Sequence, residues 1–304
     1  MKNKTLVLLL FSFLLASVFV GIMTNLQWES FTAGSRYIID GVAKLPFQHR
    51  ILSPEIIARF QFAGLSEYQA NILFYFLGFA GLIFIYVRFL LAQKLSFMLS
   101  VSSALVLCIS VFGAWNTRHC PTPFAYDITN LIFVVGLVWA AQKRMQWWFL
   151  LFAIAVLNRE TVIMWVPIMM WIRFKKDGIS HAIMYGTLSL LIFTMIKWAL
   201  ILRWPGTPFV PMFYTNIQTL LDVANAPYLS LLLAFCGMWA FAIFGFKHLP
   251  VGMKPMVLSL LGLIPLAIVG TVYEVRVYLE FGLWVIPAGL IGLEKVLSNE
   301  CQHS

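Results

Sequence analysis

Apolar runs separated by short polar breaks recur along the chain, at roughly 5–24, 69–91, 96–114, 128–141, 146–157, 160–173, 180–200, 228–246, 255–271 and 277–293. An α-helix rises about 1.5 Å per residue, so about 20 apolar residues cross the hydrocarbon core of a bilayer. No polar region long enough for a separate soluble domain lies between the runs. The pattern predicts an all-α, polytopic integral membrane protein with about ten transmembrane or partly spanning helices, built as one domain over 1–304. The first run, Leu6 to Met23 behind Lys2 and Lys4, reads as an uncleaved signal anchor, because it is long enough to span and lacks a small-x-small cleavage site.

The long break at 25–68 is the exception to this rhythm. Within "SPEIIARFQFAGLS", Ser53 suits a cap, Pro54 a first helical position and Gly64 a stop, while Ile56, Ile57 and Phe60 form an apolar stripe. These features predict an amphipathic helix at about 54–63, lying at the outer membrane interface. "SEYQ" at 66–69 then fits a capping box that opens the second span.

Composition strengthens the membrane reading, with 61% hydrophobic and 11% charged residues among the 304. The net charge of +9 changes the picture more, because it is unevenly placed. With the N-terminus inside, Lys2, Lys4, Arg88, Lys94, Lys143, Arg144, Arg173, Lys175, Lys176, Lys247, Lys254 and Lys295 fall on the inner side, and most acids fall outside. The basic balance therefore marks a cytoplasmic membrane surface and gives no support to nucleic-acid binding. It predicts a multi-pass protein of the cell's inner (plasma) membrane with both termini cytoplasmic. Cys108, Cys120, Cys236 and Cys301 form no zinc spacing, CxxC pair or disulfide framework, and no residue cluster calls for a metal.

One stretch conflicts with a simple span. "WWFLLFAIAVLNRETVIMWVPIMMWIRF", Trp147 to Phe174, carries Asn158, Arg159, Glu160 and Thr161 near its middle. It is either one long tilted helix with charges at mid-membrane or a hairpin of two short helices. A single span would carry Arg173, Lys175, Lys176, Lys247 and Lys254 to the outside and abolish the basic bias, which favours the hairpin. Asn158 would then cap the second arm, with Glu160 in its first turn, facing the positive end of the helix dipole. The arm from Arg144 to Leu157 reaches about 20 Å against a core of about 30 Å. Its polar tip would lie below the outer surface, where charge is tolerated only inside protein or beside water, which implies an outward recess.

The outer side gathers the candidate chemistry. The first loop supplies Glu29, Asp40, Gln48, His49 and Arg50, and "WNTRHCPTPFAYD" supplies Arg118, His119 and Asp127. Arg159 and Glu160 follow, then Lys197 near the outer end of its span, then Glu274, Arg276 and Glu280. Each has an ordinary structural role open to it: Arg159 and Arg276 as snorkelling residues, Glu160 as a cap, Glu274 as partner of Arg276. Glu280 sits inside the last span and is expected to face the protein interior. Taken together, arginines that grip phosphate in a fork and carboxylates able to take a proton from a hydroxyl suit an acidic lipid substrate.

The layout resembles the C-type membrane glycosyltransferases (the GT-C superfamily). The resemblance lies in Glu29 of "LQWES" directly after the first span, in the long outer loop with "FQHRILSP", and in the short-helix rhythm of "AYDITNLIFVVGLVWAAQKRMQWWFLLFAIAVLNRETVIMWVPIMMWIRF". "YEVRVYLEFGLWVIP" is similar to the Arg-bearing last segments of several members. Paired Asp-Asp or His-Asp residues, present in some of those families, are absent here, Glu29 and Asp40 standing far apart. The resemblance implies a GT-C-like fold and a polyprenyl-phosphate-linked sugar as donor. It further implies a glycan, lipid or protein of the cell envelope as acceptor, and membrane lipids as surroundings. The implied reaction is inverting: Glu29 or Asp40 takes the acceptor proton, while His49, Arg50, Arg159, Glu160, Lys197 and Arg276 bind substrate and phosphate. No cofactor is called for, a divalent cation being the one open addition.

Two other classes use the same residues. A transporter or flippase for a lipid-linked or anionic solute would hold phosphate with the same arginines; it would be favoured by inverted repeats, of which the sequence shows none. A non-catalytic assembly protein would use the polar turns only to shape its fold. No GxSxG, HExxH or pair of intramembrane aspartates supports a protease.

Overall fold

The computed structural model describes residues 2–23, 35–43, 47–115, 124–143, 145–205, 212–222, 233–264 and 275–300. Among these residues every regular element is helical and no strand occurs. Glu29, Arg118, His119, Cys120 and Glu274 lie outside the described residues. Among the described residues six helices are long and apolar enough to cross a membrane, and they coincide with six of the ten predicted runs. The helix from Ile179 to Arg203 leaves Leu190, Leu191, Met195, Trp198 and Leu202 exposed, and the first helix does the same with Leu6, Leu10 and Leu14. Such faces are stable only in an apolar solvent. The chain is a membrane-embedded, all-α protein.

The chain divides into two compact units, Met1–Ile85 with Pro121–Val210, and Tyr86–Cys120 with Pro211–Ser304. The first unit opens with α1 (Lys2–Met23), α2 (Ser35–Ile39), a 3-10 turn at Phe47–His49, α3 (Leu52–Phe62) and the start of α4 (Glu67–Ala92). The predicted capping box of α4 is present. The Ser66 amide donates to Gln69 Oε1 at 3.0 Å and the Gln69 amide to Ser66 Oγ at 3.2 Å, so two otherwise orphaned helix-end donors are satisfied. Gly64, at φ +99°, ends α3 as expected. The start of α3 differs from expectation, because the helix begins at Leu52 and Ser53 makes no cap. Its buried face is Ser53, Pro54 and Ile57 rather than the stripe of Ile56, Ile57 and Phe60, because the face is turned toward protein.

After α5 (Phe97–Trp115), which belongs to the second unit, the first unit resumes at α6 (Ala125–Gln142) and continues with α7 (Trp148–Asn158), a 3-10 helix at Glu160–Trp165, α8 (Val166–Asp177) and α9 (Ile179–Arg203). The stretch 147–173 is a hairpin. At its entry Trp148 Nε1 donates to the Leu137 carbonyl at 3.0 Å, and at its exit Lys176 Nζ donates to the Gln142 carbonyl. Both ends of the hairpin therefore lie beside the end of α6, whereas its apex lies beside the start of α6, with Asn158 bonded to Tyr126. A single straight span would carry Lys176 tens of ångströms away from Gln142 at about 1.5 Å per residue. Trp148 and Trp165, one on each arm, are fully buried against α6, so the arms are held by large apolar side chains as well as hydrogen bonds.

The second unit contains the end of α4, α5, α10 (Phe213–Leu221), α11 (Met238–Gly245) and α12 (Gly282–Glu300) with short 3-10 helices between them. α11 and α12 cross closely enough that a methyl group on Gly245, Gly289 or Gly292 would strike the carbonyl of Ala288, Met238 or Phe241, respectively. Small residues at such a crossing allow the backbone contact that replaces hydrophobic driving force in lipid. The predicted run 228–246 is interrupted at Phe235, Cys236 and Gly237, all at positive φ, and the run 255–271 begins as a 3-10 helix over Lys254–Gly262. Neither forms a long α-helix among its described residues. Arg276 and Glu280 are both buried within this unit, on the 3-10 helix Val275–Phe281.

Candidate functional site

The polar centre of the first unit is the hairpin apex. Arg159 breaks the helix, with φ −159° and ψ 134°, so residues 158 to 160 project in different directions. Asn158 turns into the core. Its Oδ1 accepts from the Ser53 hydroxyl at 2.6 Å and from the Thr129 hydroxyl at 2.7 Å, and its Nδ2 donates to the Tyr126 carbonyl at 2.9 Å. These bonds tie α3, α6 and α7 together. The expected N-cap role for Asn158 is thereby corrected: the side chain holds three elements and caps none, and α8 begins only at Val166.

Arg159 and Glu160 do not pair with each other. Arg159 Nη1 donates to Asp127 Oδ1 at 3.0 Å, with the side chains 2% and 0% exposed, and its Nε has no hydrogen-bond partner among the described residues. Glu160 points to the first loop instead. Arg50 grips it in a fork, Nε to Oε2 at 3.2 Å and Nη2 to Oε1, and Lys197 Nζ from α9 lies 3.9 Å from Oε2. The Arg50 guanidinium is also sandwiched by aromatic faces, 4.9 Å from the Phe47 ring centre and 4.6 Å from that of Tyr126.

The loop that brings Arg50 here is closed by Gln48. Its Nε2 donates to the Ile38 carbonyl and its Oε1 accepts from the Ala43 amide, both at 2.8 Å. His49 then reaches the end of α9, its Nε2 donating to the Trp204 carbonyl at 3.3 Å. Burial pushes His49 below its ordinary titration range, and the Lys197 charge acts in the same direction. Glu160, in the turn between the hairpin arms, has its carboxylate matched by the opposite charges of Arg50 and Lys197.

Of the residues singled out in the sequence, His49, Arg50, Glu160 and Lys197 are gathered at this apex, with Arg159 one residue away. Asp40 is exposed in the turn after α2, where it lines a separate cavity with Gln61, Glu67 and Asn71. Arg276 belongs to the second unit. Sequence reasoning noted Asp127 and Arg159 but not their pairing, and gave no place to Ser53 and Thr129 as Asn158's partners. Contacts between residues 29 to 110 positions apart carry no local periodicity or motif to announce them. No three His, Cys, Asp or Glu side chains among the described residues could together hold a metal ion.

Among the described residues, regular structure that is helical throughout, with six helices long and apolar enough to span, defines an α-helical membrane-embedded protein. Comparisons with protein-family models, curated proteins and solved structures return no match.

Proposed function

We propose that the protein is a GT-C-like membrane glycosyltransferase, with its ten apolar segments in an inner (plasma) membrane, both termini cytoplasmic and its site on the outer face. The observation that carries this reading is the apex cluster: among the described residues three cations, Arg50, Arg159 and Lys197, are assembled with two carboxylates, Glu160 and Asp127, in a largely buried place, three positive charges to two negative ones. An anionic leaving group is the partner such an excess favours. In the proposed reaction Asp40 or Glu29 takes the proton of the acceptor hydroxyl, whose oxygen forms a bond to the anomeric carbon as the bond to phosphate breaks. The electron pair leaves with the polyprenyl phosphate, which Arg50 and Lys197 receive in competition with Glu160. The step needs one base and inverts the anomeric centre.

Proteoliposomes charged with polyprenyl-phosphate sugars and cell-envelope acceptors test this. Arg50→Ala should lower sugar transfer by about 100-fold or more, the scale on which a preorganised charge contributes to a transition state. Either Glu29→Gln or Asp40→Asn should abolish transfer. Undiminished transfer in all three variants would overturn the site, and translocation of the lipid-linked sugar without transfer would favour the transporter reading.

A further inference from the structure

The end of the hairpin opposite the apex carries a charge pattern that the proposed reaction does not use. Lys176 Nζ donates to the Gln142 carbonyl, so the end of α6, followed by Lys143, and the end of α8, with Lys175 and Lys176, form one face. All three lysines are exposed. Asp177 is the only acid within 137–150 and 168–183, and Arg173 Nη1 holds it at 3.0 Å. Arg173 is itself buried and packs its guanidinium 4.4 Å from the centre of the Tyr185 ring on α9, so this pair is fixed within the helix packing. Among the described residues the face therefore keeps three positive charges, those of Lys143, Lys175 and Lys176.

Aromatic side chains frame these charges. Trp147 at the start of α7 and Trp171 and Phe174 on α8 are 48%, 44% and 42% exposed. The Lys175 ammonium lies 5.0 Å from the ring centre of Trp171 and 5.6 Å from that of Phe174. The 18 residues of α6, about 27 Å at about 1.5 Å per residue, separate this face from the apex by nearly the thickness of a hydrocarbon core of about 30 Å. The face thus falls at a headgroup layer, where a Trp ring rests against acyl chains and its N–H meets water. Ammonium groups beside exposed aromatic rings match a lipid phosphate better than a soluble anion, which would leave the rings in water. A zwitterionic phospholipid offers the same phosphate but carries a cation of its own, which the three lysines repel.

We infer that this end of the hairpin is a binding face for an anionic phospholipid, with Lys143, Lys175 and Lys176 holding the phosphate and Trp147, Trp171 and Phe174 covering the upper acyl chains. The face stands apart from the transferase reading, which uses the other end of the hairpin.

The full chain is placed in nanodiscs containing equal amounts of phosphatidylglycerol and phosphatidylcholine with matched chains, and the lipid it retains on release into detergent is read by native mass spectrometry. Phosphatidylglycerol should be preferred, and each of Lys143→Gln, Lys175→Gln and Lys176→Gln should lower that preference by about fivefold, the worth of one lysine near an anionic surface. The three changes together should abolish it, whereas Lys→Arg at all three positions should preserve it and show that the fold tolerates substitution there. Removing as many charges from the second unit, by Lys247→Gln, Lys254→Gln and Lys295→Gln, should leave the preference unchanged. Trp147→Ala with Trp171→Ala should lower phosphatidylglycerol retention, and excess inorganic phosphate at constant ionic strength should not displace the lipid. A preference that survives the triple Lys→Gln change at 143, 175 and 176, or that falls equally with the second-unit set, overturns the inference; displacement by inorganic phosphate would replace the lipid with a soluble anion and overturn it as well.

Discussion

Arg159 and Glu160 are neighbours in the chain, yet their ion pairs belong to different environments. The Arg159–Asp127 pair is 2% and 0% exposed and joins the apex to the first turn of α6. The Arg50–Glu160 pair is 7% and 18% exposed, shares its carboxylate with Lys197, and joins the apex to the first loop. A sealed pair acts mainly as structure, because breaking it strands a charge that water cannot reach. A partly open pair with a third charge beside it can exchange partners, because each member retains another contact when one is lost. Two adjacent charges that looked equivalent in the sequence are thus separated by burial.

The largest effect expected from this contrast is on Asp127. Asp127→Ala leaves Arg159 buried and uncompensated and should cost about 3–5 kcal/mol, read as a fall in the thermal unfolding midpoint in detergent. Replacing both members, Asp127→Leu with Arg159→Met, should restore most of that loss, since no charge is then stranded. A double variant as unstable as the single one would show that the pair does more than neutralise itself. Arg50→Ala should be milder, about 1–3 kcal/mol, because Lys197 still faces Glu160; under the proposed function its main cost should fall on sugar transfer. If Arg50→Ala destabilises as strongly as Asp127→Ala, the distinction between the pairs collapses.

Acid titration is a finer probe. His49 has a folded pKa held below its ordinary value of 6.5, so the unfolded state binds the proton more readily, and stability declines as pH falls from about 6.5 toward the folded pKa. His49→Gln should flatten that part of a stability-versus-pH curve; an unchanged slope in this variant would show that another group carries it. The smallest change is expected for Lys197→Met, about 0.5 kcal/mol, because 3.9 Å is a loose contact.

The break at "LNRET" and the hairpin itself could be read in advance, because a single span was expected to carry five basic residues away from the other basic loops. The capping box at Ser66–Gln69 was equally legible, since its partners are three residues apart. Asn158 was misread for the opposite reason. Its type and its place before a helix suit a cap, but three groups on α3 and α6 compete for the same side chain and win. The left-handed turn at Phe235–Gly237 inside the predicted run 228–246 was not legible, because hydropathy registers apolar length and such a turn does not change it.

Hydropathy and charge were enough to establish a helical membrane protein, the positions of the six described helices long and apolar enough to span, and the hairpin between α6 and α9, because these depend on the local solvent each residue requires. Which charges meet and which pair is sealed depended on the tertiary structure. Those outcomes are set by contacts between segments far apart in sequence, where burial decides how strongly each charge must be matched.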